Sequence, residues 1–130
     1  MSPTNSKRHL NTRQFGRAQE KLATDFLKKR GLKLLMHNYQ CKLGEIDLIM
    51  LDAKQQLVFV EVRYRRQQFF GSAVESVGTV KQKRIRRTAE HFRLTHPRYN
   101  HLMCRFDVIG ITQASDSGDS VLDWIPNAFY

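Results

Sequence analysis

Cysteine is scarce: Cys41 and Cys104 are the only two among 130 residues. They have no CxxC spacing and no histidine beside them in a ligand pattern, which argues against a zinc site and leaves both as reduced, packed thiols. Long apolar runs are missing as well. No stretch approaches the ~20 residues that span a bilayer, and the N-terminal MSPTNSKRHLNTR lacks the apolar centre of a secretory signal. A cytoplasmic protein with no membrane partner is therefore expected. No internal repeat or low-complexity block is present. Negative charge is in short supply, with 12 Asp and Glu against 22 Lys and Arg, a net charge of +10 and a pI near 10.1. Such a surplus makes a polyanion the first partner to consider, because phosphates neutralised by protein release their counterions. Nucleic acid stands ahead of the alternative, a merely solvated basic surface.

The length suits one hydrophobic core. Residues 1–11 are polar and basic and read as a flexible arm; residues 12–130 read as a single domain. From Gly16, GRAQEKLATDFLKKRG has the spacing of an amphipathic helix, with Ala18, Leu22, Ala23, Phe26 and Leu27 as its apolar stripe and Gly31 as its stop. Glu20 falls on the margin of that stripe, beside Leu27. LKLLMHNYQC, GEIDLIML and LVFVEVRYR follow as three strands. Thr79 and Gln82 form a T-x-x-Q capping box opening a long helix that Pro97 closes, with Ile85, Ala89 and Phe92 on its apolar face. MCRFDVIGIT is a fourth strand, VLDWI a short fifth, and PNAFY a tail covering a core edge.

Acids stand inside these strands at Glu45, Asp47 and Glu61, where burial of charge is costly. If residues 52–56 form a five-residue loop, Leu51 faces Leu57 and Asp47 faces Glu61, both on one face with Glu45, Phe59 and Arg63. Opposed carboxylates ~4.5–5.5 Å apart at Cβ need a cation between them. Oxygen ligands and an open polar position suit Mg²⁺ or Mn²⁺; Arg63 closing a structural ion pair is the equal alternative. Lys81 points from the second helix toward the sheet. Lys83, Arg84, Arg86 and Arg87 fan over its other sides and, with Arg65 and Arg66, are the candidate phosphate contacts. Phe69 and Phe70 are core anchors or base-stacking residues. Asp107 beside Arg105 reads as a structural pair.

The order helix, three strands, helix, strand, with Glu20, Asp47 in GEIDLI and Glu61 in FVEVR, resembles the restriction-endonuclease-like α/β fold and its PD-(D/E)xK signature. Together GRAQEKLA, GEIDLI, VFVEVRYR, FGSAVESV, KQKRIRRTA and CRFDVI make the chain similar to the YraN family, and beyond it to archaeal Holliday junction resolvases. The resemblance implies a central mixed sheet flanked by helices. It also implies Glu20, Asp47 and Glu61 around a divalent metal (Mg²⁺ or Mn²⁺), and nuclease action on DNA with branched or structured DNA as the candidate substrate, for which a homodimer would be a natural form. Arg63 stands where the signature has lysine, and arginine is disqualified as a general base by a pKa above ~12. Lys81 is the replacement amine. The rival readings are a non-catalytic nucleic-acid-binding module with Arg63 locking the acids, and an accessory protein with an acidic protein partner.

Overall fold

The computed structural model describes the backbone of residues 2–66, 73–113 and 118–130, and the side chains of these residues from Gln14 onward with the exception of Arg66. Phe69 and Phe70 lie outside the described residues. The architecture is α/β: helix α1 (Ser2–Lys29), strands β1 (Lys33–Cys41), β2 (Gly44–Leu51) and β3 (Leu57–Arg66), helix α2 (Thr79–Thr95), and strands β4 (Cys104–Gln113) and β5 (Ser120–Phe129). The five strands form one sheet in the order β1-β2-β3-β4-β5. All neighbours are antiparallel except β3 and β4, whose parallel pairing needs the crossover that α2 supplies.

The two faces of the sheet bury separate cores. Against α2 lie Ile46, Ile49, Leu57, Phe59 and Val108 with Ile85, Ala89 and Phe92. Against α1 lie Leu48, Met50, Val58, Val60, Ile109 and Ile111 with Ala23 and Leu27. Alternation along β3 produces this division, since Leu57 and Phe59 point one way and Val58 and Val60 the other.

Helix α1 ends as the sequence indicates. Gly31 is left-handed at φ 93, and Gly31 N–H and Leu32 N–H donate to the carbonyls of Lys28 and Leu27 at 3.0 and 3.1 Å, the paired bonds of a Schellman stop. Three expectations change. The helix starts at Ser2 in place of Gly16, so residues 2–11 are helical where an arm was expected. Its inward stripe keeps Ala23 and Leu27, with Phe26 half-buried, but takes in Gln19, whereas Ala18 and Leu22 face solvent. Helix α2 is capped by Gly78 and not by Thr79, with no side-chain cap bond, and Gln82 Nε2 donates instead to the Val77 carbonyl at 2.9 Å.

The C-terminus also differs from the tail expected of PNAFY. Strand β5 continues through Pro126 to Phe129, which is buried and stacks on Phe106 at 5.2 Å between centroids. Proline is tolerable there because β5 is the sheet's edge. Asp107 is fully buried beneath this strand. It accepts from Arg105 Nε at 3.0 Å, Trp124 Nε1 at 2.9 Å and the Asn127 N–H at 3.0 Å, the structural role expected of it.

Candidate functional site

The hairpin register is the one that a five-residue loop requires. Leu51 faces Leu57 and the ladder runs to Leu48 opposite Val60, while Asp52 N–H donates to the Gln56 carbonyl at 3.0 Å and Asp52 Oδ1 accepts from Lys54 N–H and Gln56 N–H. One step further in this register, Asp47 comes opposite Glu61. There the strands part, and Asp47 Oδ2 accepts the Val62 N–H at 2.8 Å. The β1–β2 ladder skips the Asn38–Asp47 pair, and Asn38 is left-handed at φ 53. The alternation therefore breaks: Ile46 packs against α2 and Leu48 against α1, and Asp47 is released from the regular pleat. The expectation that Asp47, Glu61 and Glu45 share one face is corrected accordingly. Asp47 lines a cavity on the α1 side, and Glu45 is exposed and bonded to Gln40.

Glu61, only 4% exposed, is reached by Lys81 Nζ at 2.7 Å from the first turn of α2. Arg63 Nη1 stands at 3.7 Å from the same oxygen. The arginine is drawn aside: its Nε donates to Ser76 Oγ at 3.1 Å and its Nη2 to the Ser76 carbonyl at 3.2 Å. Glycine at 110, directly across from Arg63 in the parallel ladder, is what lets the Ser76 turn come so close. A Cβ there would meet the Cβ of Ala73 at 2.6 Å. Ser76 is thus a positioning residue unmarked in the sequence, since nothing in its local pattern signals a contact with a strand thirteen residues earlier.

Burial, followed by the negative charge of Glu61, pushes the Asp47 carboxyl up to about 8, against the Val62 N–H, which lowers it. Burial also raises Glu20, opposed by a hydrogen bond from Asn38. Glu20 lies close enough to Asp47 to add to its rise, and both line one cavity of about 150 Å³. Gln19 lines it too; it is 9% exposed and its Oε1 has no hydrogen-bond partner. An orphaned buried polar atom costs about 1–3 kcal/mol.

Among the described residues no three acidic, histidine or cysteine side chains converge tightly enough, as they stand, to hold an ion alone. Asp47 and Glu61 are the close pair and Glu20 stands off from them. Their carboxylates are hard oxygen donors of the kind that Mg²⁺ or Mn²⁺ takes.

Lys81 and Arg84 line a second, wider cavity of about 690 Å³, with Gly78, Gly44 and Glu45. Lys83, Arg84, Arg86 and Arg87 are exposed on α2, but Arg86 Nη1 donates to the terminal Tyr130 carbonyl at 2.8 Å and is partly committed. Arg65 is half-buried, and the side chain of Arg66 lies outside the described residues. Among the described residues no helix is long and apolar enough to cross a membrane.

Comparison with known proteins places the chain. The model of "Uncharacterised protein family UPF0102" matches residues 19–111. A UPF0102 protein of Alcanivorax borkumensis is 47% identical over 116 residues, 88% of this chain and 90% of that one. Another, of Nitrosococcus oceani, is 45% identical over 117 residues, 90% and 92% of the two chains. Among solved structures, SfsA of Pyrococcus furiosus in complex with Ca²⁺ aligns at a TM-score of 0.36 and 12% identity over 88% of this chain and 63% of that one, a likeness too loose to build on. The match to the family model and to near full-length relatives makes this chain a member of the UPF0102, or YraN, family.

Proposed function

We propose that the protein is a divalent-metal-dependent nuclease that hydrolyses phosphodiester bonds in DNA, with branched or structured DNA as the favoured substrate, acting in the cytoplasm. One observation carries this reading: where β2 and β3 part, two carboxylates, Asp47 and Glu61, converge beside a lysine ammonium, 2.7 Å from Glu61. A structural ion pair needs one acid per cation and no cavity. Here Glu61 takes both near cations, Lys81 and Arg63, while Asp47 beside it has only a backbone donor, and Lys81 lines an opening with room for a phosphate group.

In this reading Asp47 and Glu61 hold Mg²⁺ or Mn²⁺, with Glu20 completing the shell directly or through water. The ion supplies Lewis acidity toward a phosphate oxygen and acidifies water. Hydrolysis joins a water oxygen to phosphorus as one P–O ester bond breaks, and the leaving oxygen ends protonated. Lys81 sits beside the acids to offset charge growing on the phosphate and, being an amine, is able to exchange a proton where Arg63 is not. Arg63, held by Ser76, is a fixed positive charge at the rim. Lys83, Arg84 and Arg87 lie on the same helix as Lys81 and draw the polyanion toward the cavity.

The test is cleavage of linear, flapped and four-way DNA in Mn²⁺. Activity that Asp47→Asn and Lys81→Met abolish supports the assignment. DNA binding with a steep salt dependence but no cleavage in any metal favours a non-catalytic nucleic-acid-binding module instead. Recovery of cleavage by Arg63→Lys alone would identify a degraded nuclease.

A further inference from the structure

The cavity on the α1 side of Asp47 is walled by acceptors. Its polar side chains are the carboxylates of Glu20 and Asp47 and the carboxamide of Gln19. Tyr64 also lines it, but its hydroxyl is committed to Gln113 Oε1 at 2.6 Å. Phe15 packs edge-on against the Tyr64 ring at 4.6 Å and closes the apolar side. Gln19 Oε1 is buried without a partner, in a wall whose other polar side chains are the Glu20 and Asp47 carboxyls and the committed Tyr64 hydroxyl. When the two carboxyls are ionised, neither gives this oxygen a partner; a cation held by them, or a water on that cation, does.

Size agrees with chemistry. A volume of about 150 Å³ is that of roughly five waters at ~30 Å³ each. An ion that takes six oxygens at ~2.0–2.1 Å and keeps several of its waters suits such a space. The position of Gln19 is also unusual for its residue type. It sits on the inward stripe of α1 with Ala23 and Leu27, where an apolar side chain would pack without loss.

We infer that Gln19 is a ligand-shell residue of the divalent-cation site, offering its side-chain oxygen to the ion or to a water bound on it from the α1 side, opposite the strand-borne carboxylates. The inference rests on the metal-dependent reading above and extends it to a residue outside the acidic set. A neutral donor adds an oxygen without adding charge, so the site gains coordination while its surplus of acid stays fixed.

The experiment is Mn²⁺ binding, read by the loss of free-ion electron paramagnetic resonance signal, alongside metal-free thermal melts. Neither readout depends on cleavage. Gln19→Leu and Gln19→Met keep the side chain's bulk and remove its oxygen, so that a folding defect in one leaves the other to report. Both are expected to melt higher than wild type without metal and to bind Mn²⁺ at least tenfold more weakly, while Gln19→Glu keeps the affinity. Unchanged Mn²⁺ affinity in the Leu and Met variants, with Asp47→Asn abolishing binding, overturns the role of Gln19 and leaves the metal reading standing. Absence of saturable Mn²⁺ binding by the wild type overturns both.

Discussion

Two buried acid centres lie two strands apart in the same sheet, and they are built in opposite ways. Asp107 is fully buried and surrounded by donors from Arg105, Trp124 and Asn127. Arg105 is itself bound to Asp52 at 2.7 Å, which ties the β2–β3 loop to β4. Asp47 has one backbone donor and a second carboxylate for a neighbour. The first centre is closed and complete. The second gives both near cations, Lys81 and Arg63, to Glu61 and leaves Asp47 with a single backbone donor at the edge of a cavity. Burial of an acid is thus no mark of function by itself; the count of donors around it is what separates the two.

This contrast is open to direct tests. The largest effect is expected at the closed centre: Asp107→Ala leaves Arg105 and the Trp124 indole without their acceptor and should lower stability in urea by about 3–5 kcal/mol. Metal binding would be affected there only through loss of fold. Asp47→Asn should do the reverse. It keeps the acceptor for Val62 N–H and removes the ionisation that burial opposes, so the metal-free protein at pH 8 should be about 1–2 kcal/mol more stable, with the stabilisation by Mn²⁺ lost.

The pH dependence separates the centres further. Asp47 holds its proton to higher pH in the folded chain, so its contribution is complete below the ordinary value of 3.8 and is lost as pH rises through about 8. Melting temperature should accordingly fall between pH 5 and pH 9. Asp47→Asn should flatten that slope, and so should Mn²⁺, which displaces the proton. A slope unchanged by both would break the comparison. Smaller effects are expected at the rim. Lys81→Met should cost less than about 1 kcal/mol of stability, since the ammonium is half-exposed, while cleavage falls at least a hundredfold. Ser76→Ala, which frees the Arg63 guanidinium on one side, should cost about 0.5–1.5 kcal/mol and change cleavage less than tenfold.

Much of this was legible in the chain before folding. The strand segments, the stop at Gly31, the closure of α2 before Pro97 and the pairing of Leu51 with Leu57 all follow from local preference and loop length. The register alone brings Asp47 opposite Glu61, and helical spacing alone puts Lys81 on the sheet-facing side of α2. Less was legible wherever two elements meet. On α1 the expected Ala23 and Leu27 are buried, but Ala18 and Leu22 only imitate part of the stripe, and docking puts Gln19 inward in their place. Gln19 was missed for that reason. The capping box at Thr79 was out-competed by Gly78, with Gln82 bonding the preceding turn instead.

The sequence by itself determined which residues bear charge, which segments are strands and helices, and that two acids fall opposite each other in a hairpin, since these depend on periodicity and the length of a loop. Only the tertiary structure decided where the acids point and what surrounds them. A left-handed Asn38 breaks the pleat and turns Asp47 toward α1, and a glycine across from Arg63 admits the Ser76 turn that holds the arginine aside. The crossover helix then brings Lys81 to Glu61. Each of these is set by close packing between segments distant in the chain, and packing of that kind leaves no period in the sequence to be read.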